Sequence, residues 1–158
     1  MGSLSFANLQ HLREALHEEL SPDLLLPKYQ KSWDKQNPTQ GFCSIASEAA
    51  WFILGGPPSG WISYACQDPK VGGTHWWLQH KDGSIFDPTE EQYRSIGLTP
   101  PYERGIVGKA VGFMGMRQDP GNEWGFDRKP GIRAGKLLAK MQQAVFVLQQ
   151  PSRRRLGP

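Results

Sequence analysis

Apolar positions along the chain fall into helical and alternating patterns, and each pattern predicts its own element. Leu9, Leu12, Leu16 and Leu20 recur at helical spacing, with His11, Arg13, Glu14, Glu18 and Glu19 elsewhere on the wheel. Residues 6–20 are therefore expected to form an amphipathic helix packed on the domain. Ser21-Pro22-Asp23 restarts a short turn or helix, since serine caps well and proline is tolerated at the first helical position. Leu24-Leu25-Leu26 is expected to insert into the core. Tyr29 to Thr39 is polar, with Asn37-Pro38 as a turn signal. From Cys43 onward Ile45, Ala49, Phe52 and Ile53 mark the buried face of a second helix, which Gly55-Gly56 stops.

Strand patterns follow. Pro57 to Gly60 reads as a loop, Trp61 to Cys66 as a short strand, and Gln67 to Thr74 as a flexible loop that offers substrate access. Two short apolar runs flank Asp82-Gly83, a strong hairpin signal. It makes His75 to His80 one strand and Ser84 to Asp87 its antiparallel partner. Thr89-Glu90-Glu91-Gln92 has a capping-box pattern that opens a short helix to about Ser95. Gly97 to Gly125 is rich in glycine and proline, with Tyr102 and Gly112-Phe113-Met114 as anchors. A last helix carries the stripe Ile132, Ala134, Leu137, Leu138 and Met141. Ala144 to Leu148 either extends it or forms a terminal strand, and Val145 and Val147 lean toward the strand.

Length and charge narrow the picture. The 158 residues and 17.7 kDa fit one domain over 1–150, followed by a disordered basic tail at 151–158. The net charge of +3 owes much to Arg153-Arg154-Arg155, so no dense basic stripe argues for nucleic acid. No apolar run approaches membrane length, and the expectation is a cytoplasmic protein with no membrane partner and no cofactor. Its two cysteines, Cys43 and Cys66, are expected to be free thiols in a reducing compartment.

Candidate chemistry centres on Gln40-Gly41-Phe42-Cys43, a glycine-containing loop that ends in a cysteine as a helix begins. Unpaired N–H groups and the positive end of the macrodipole favour a thiolate over a thiol at such a position. A thiolate needs a base, and the base an orienter. His75 near the start of one hairpin strand and Asp87 near the end of the other become neighbours across the hairpin. Asp87 then accepts from one imidazole nitrogen while the other faces Cys43.

Gln-Gly-x-Cys opening a core helix, His-Trp on a strand and Asp-Pro-Thr on the next together resemble the papain-like cysteine superfamily. The transglutaminase-like branch is the most similar, and the likeness spans Gln40 to about Gln92. The chain as a whole also resembles compact bacteriophage-encoded proteins. The resemblance implies an α+β fold with the cysteine helix packed on a small antiparallel sheet. It also implies Cys43 as nucleophile, His75 as base, Asp87 as orienter and Gln40 as an oxyanion donor. Gln40 stands closer to the cysteine than the papain pattern places it. The implied activity is acyl transfer on an amide or isopeptide bond of a protein, a peptide or a small-molecule amide. Trp76, Trp77 and Gln92 are the candidate substrate contacts; the two tryptophans alternate faces, so one is core and the other lines the cleft.

Blander readings stand beside these. Cys43 as an inert core thiol, His75 as a satisfied core histidine and Asp87 as turn chemistry together describe a non-catalytic accessory or inhibitor domain that binds a partner in the same cleft. A zinc site from Cys43, Cys66, His75 and Asp87 lacks the paired-ligand spacing that marks such sites, so no metal is expected.

Overall fold

A helix made almost entirely of small and apolar residues lies at the centre of the fold. The structure is a computed structural model, and it describes residues 6–71, 73–107 and 130–149. The central helix, α3 (Cys43–Ile53), follows α1 (Leu9–Glu19), a single 3-10 turn at Pro22–Leu24 and the short α2 (Pro27–Gln30). Then come strands β1 (Trp61–Asp68), β2 (Gly73–His80) and β3 (Ile85–Phe86), the one-turn α4 (Glu91–Arg94), strand β4 (Ile106–Val107) and α5 (Ile132–Gln149). The strands form one antiparallel sheet in the order β3-β2-β1-β4. The fold is mixed α+β with a small four-stranded antiparallel sheet. No helix among the described residues is long and apolar enough to cross a membrane.

The helix α1 begins where Asn8 accepts a hydrogen bond from the His11 N–H, and it buries Leu12 and Leu16 as its spacing predicts. Around α3 the burial is broader than one stripe. Cys43 and every residue from Ile45 to Trp51 are buried, whereas Phe52 and Ile53, expected at the core face, are half-buried. With α1 and α5 packed on some sides and β1 and β2 on others, the helix has almost no solvent face. A helix apolar all round belongs in the interior.

Several segments depart from expectation for local reasons. Gln67 to Thr74 is not a loop: β1 runs on to Asp68, β2 starts at Gly73, and all eight positions of the two strands pair, from Trp61 opposite His80 to Asp68 opposite Gly73. The turn stays short because Asp68 Oδ1 accepts from the Lys70 N–H, and Pro69–Val71 forms a single 3-10 turn. Leu24 and Leu25 are buried, but Leu26 faces outward just before α2. The capping box does not form, because Thr89 gives its N–H and hydroxyl to Asp87, and α4 starts two residues later without a side-chain cap. Ala144 to Leu148 continues α5 rather than forming a strand. The expected anchor Gly112-Phe113-Met114 and the tail at 151–158 lie outside the described residues.

Candidate functional site

Cys43 is delivered by a tight turn. The Phe42 N–H bonds to Thr39 O, and Gly41 adopts φ of 85°, a conformation that other residues rarely reach. A side chain there would also meet Leu25 Cδ2 at 3.2 Å. Phe42 caps α3 without a side-chain hydrogen bond, and Ala46 N–H bonds to Phe42 O. The N–H groups of the first turn, Cys43 among them, have no side-chain cap. The Cys43 thiol donates to Thr74 O at 3.4 Å, and one turn on the Ser47 hydroxyl donates to Trp76 O at 3.2 Å. These carbonyls lie on the side of β2 that β3 leaves open. Since Leu78 pairs with Phe86, the next partner opposite Trp76 falls at Pro88, which has no N–H to give.

Strand alternation sets the rest. Trp76 and Leu78 share the core with α3, while His75 and Trp77 face the other way. The same register puts Asp87 on the His75 side. His75 Nε2 donates to Asp87 Oδ2 at 2.6 Å, with both side chains sealed from solvent. Asp87 also accepts the Tyr102 hydroxyl on Oδ2 at 3.0 Å and the Thr89 N–H on Oδ1 at 3.0 Å. The imidazole stacks on Trp77, 5.7 Å between centroids, and meets Tyr93 edge to face at 4.9 Å. With Nε2 engaged by Asp87, Nδ1 is buried without a hydrogen bond of ordinary geometry and is the nitrogen left for the Cys43 sulfur. Burial opposes charge on the ring. The hydrogen bonds to Asp87 and then Cys43, and the charges of both, outweigh it and raise the imidazole to about 9.

From the α1 side, His17 Nε2 donates to Pro88 O at 2.5 Å and Arg13 pairs with Glu90 at 2.8 Å, so the helix grips the segment that follows Asp87. Behind the ring, the Tyr93 hydroxyl donates to the buried Asp68 at 3.0 Å, as does Arg104 at 3.3 Å. Burial pushes the Asp68 carboxyl up, but the Lys70 N–H, Tyr93 and Arg104 together bring it below its ordinary value.

A cavity of about 410 Å³ opens beside Cys43. Gln40, Trp76 and Gln92 line it, as do Gly73 and Thr74, so the segment expected to give access does border the cleft, as strand. Gln40 is exposed, whereas Gln92 is buried. Trp77, named with them as a substrate contact, is not in that wall. It is fully buried between His75, Tyr64 and Tyr102, and Gly105 leaves it room, since a Cβ there would come within 2.2 Å of its ring. Cys66 pairs opposite His75 across β1 and β2; its thiol is free, and burial pushes it up. Among the described residues no group of three or more His, Cys, Asp and Glu is arranged to hold a metal ion. Reading the sequence missed the tie from Tyr102 to Asp87, that from Tyr93 to Asp68, and Arg133, which reaches the cavity from α5. Only the path of the chain after β3 creates those meetings.

The model of one family, described as the YunG protein, matches residues 8–107. The chain belongs to the YunG family. No curated protein and no solved structure matches it. The span that the YunG model covers holds Cys43, His75, Asp87, Gln92 and Tyr102, and it ends before α5.

Proposed function

We propose that this YunG family member is a thiol-dependent acyl-transfer enzyme, with a papain-like or transglutaminase-like core, acting on an amide or isopeptide bond. One observation carries the reading: a sealed His75–Asp87 pair at 2.6 Å whose remaining neighbour is a cysteine on a cavity wall. Burying an ionisable pair is costly, and replacing it with apolar residues is often neutral or stabilising, so packing alone is a poor reason to keep one. A nucleophile and its base give it a use.

In this mechanism the Cys43 thiolate adds to the carbonyl carbon. The S–C bond forms as the C=O π electrons move onto oxygen. The uncapped first turn of α3 offers N–H donors to that oxyanion, and Gln40 offers a carboxamide from the cavity wall. When the C=O re-forms, the C–N bond breaks and the leaving nitrogen takes the proton from the His75 imidazolium. Water or an amine then adds to the thioester and gives its proton to His75, and the C–S bond breaks to return the thiolate. Water makes the enzyme a peptidase, isopeptidase or deamidase; an amine makes it a transferase.

A competing reading, a non-catalytic domain that binds a partner in the same cavity, draws on the thiol being directed at Thr74 O. The pH-dependent rate of Cys43 alkylation by iodoacetamide separates the two, measured in wild type, His75→Ala and Cys66→Ala. The catalytic reading expects fast alkylation near neutral pH, a loss of about tenfold or more in His75→Ala, and no change in Cys66→Ala. A Cys43 that stays inert until the protein unfolds, with or without His75, overturns it in favour of the binding domain.

A further inference from the structure

Among the described residues, the cavity beside Cys43 is rich in hydrogen-bond donors and is lined by no acid. Of the described side chains lining it, only Arg133 is charged. Half-buried on α5, Arg133 gives one hydrogen bond, from Nη1 to Leu24 O at 3.4 Å. The other arginines among the described residues all have carboxylate partners: Arg13 and Arg94 with Glu90 at 2.8 Å, and Arg104 with Asp68 at 3.3 Å. Gln92 adds an independent sign. It is 3% exposed, and its Nε2 is sealed from solvent with no acceptor. An orphaned buried donor costs free energy unless something supplies an acceptor, and a guanidinium is shaped to take a carboxylate through two parallel bonds.

One side of the wall, beside α2, is apolar or aromatic. Leu25, Leu26, Tyr29 and Trp33 line the cavity, with Leu26 and Tyr29 about two-fifths exposed, at 41% and 43%. A volume of about 410 Å³ suits a group of amino-acid to dipeptide size. We propose that the cavity selects ligands carrying a carboxylate next to an apolar or aromatic group. Arg133 holds the carboxylate, and the α2 side takes the apolar part. For an acyl-transfer enzyme this makes the substrate an anionic acyl donor. That last step rests on the catalytic reading of Cys43, whereas the binding preference does not.

The test is therefore an equilibrium one. N-acetylphenylalanine, as its carboxylate, and the neutral N-acetylphenylalaninamide are titrated calorimetrically into full-length Cys43→Ala protein, which cannot turn either over. The carboxylate is expected to bind about tenfold tighter or more, the size of a charge-assisted pair. Adding Arg133→Gln should erase the preference, and Arg133→Lys should keep part of it. Equal binding of the two ligands, no binding of either, or a preference that survives Arg133→Gln would each overturn the proposal. The alkylation rates judge the catalytic reading separately, so the two can fail independently.

Discussion

Asp87 takes hydrogen bonds from His75, Tyr102 and Thr89 on its two carboxylate oxygens, and the share each receives tunes the imidazole. Tyr102 competes with His75 for the same oxygen, Oδ2. Burial, and then the Asp87 charge, push the Tyr102 phenol above its ordinary value, so it stays a neutral donor across the working range. Tyr102→Phe should therefore leave Asp87 a stronger partner for the ring and move His75 upward from about 9. A titration of the ring protons by NMR would read this, and a downward shift or none would discard the idea. The variant should also lose about 1 kcal/mol of stability in urea. Cys43, His75 and Asp87 were legible in the sequence because a helix start and one hairpin bring them into range. Tyr102 was not, since its approach depends on how the chain returns past α4, which no local spacing encodes.

The open side of β2 is where elements meet to build the site. β3 is two residues long, and α3 takes over from it: Cys43 and Ser47, one helical turn apart, supply donors to Thr74 O and Trp76 O. Ser47 thus holds the strand that carries His75 against the helix that carries Cys43. Ser47→Ala should leave the Trp76 carbonyl unsatisfied in the interior and cost about 1–3 kcal/mol. Urea unfolding measures the loss, and one within a few tenths of a kcal/mol would show that the stitch carries no weight. The long helices α1, α3 and α5 and the β2–β3 hairpin are readable from periodicity and from Asp82-Gly83, whereas the four residues of α2 are too few to show a period. The first two strands run further than the sequence reading of Gln67 to Thr74 as a loop, because turn signals at Asp68-Pro69 and Gly72-Gly73 extend into positions that pair as strand. Glycine and proline mark where a chain is able to turn; the pairing of Gln67 with Thr74 decides where it does.

For the molecule as a whole, the sealed His75–Asp87 pair ties the stability of the fold to pH. The imidazole titrates at about 9 in the folded chain, against 6.5 for the unperturbed group. Between those values the folded state binds more protons than the unfolded one, so stability falls as pH rises. The contribution is fully present below about pH 6.5 and is lost as pH rises through about 9. Its size is on the order of 3 kcal/mol, since each pKa unit is worth about 1.4 kcal/mol. Cys66, raised from 9.0 by burial, gives a slope of the same sign, but only at more alkaline pH, and so leaves this window to His75. Urea unfolding of Cys43→Ala and of Cys43→Ala/His75→Gln, at a series of pH values across the window, isolates the effect, because no proton passed from sulfur to ring then masks the ring's own uptake. Cys43→Ala should weaken steadily toward alkaline pH, and the double variant should be flatter. A Cys43→Ala stability that is level or rising over the window, or an equal slope in the double variant, would mean that the ring is held neutral in the fold. The imidazolium that the proposed chemistry needs as its proton donor would then not be the resting state.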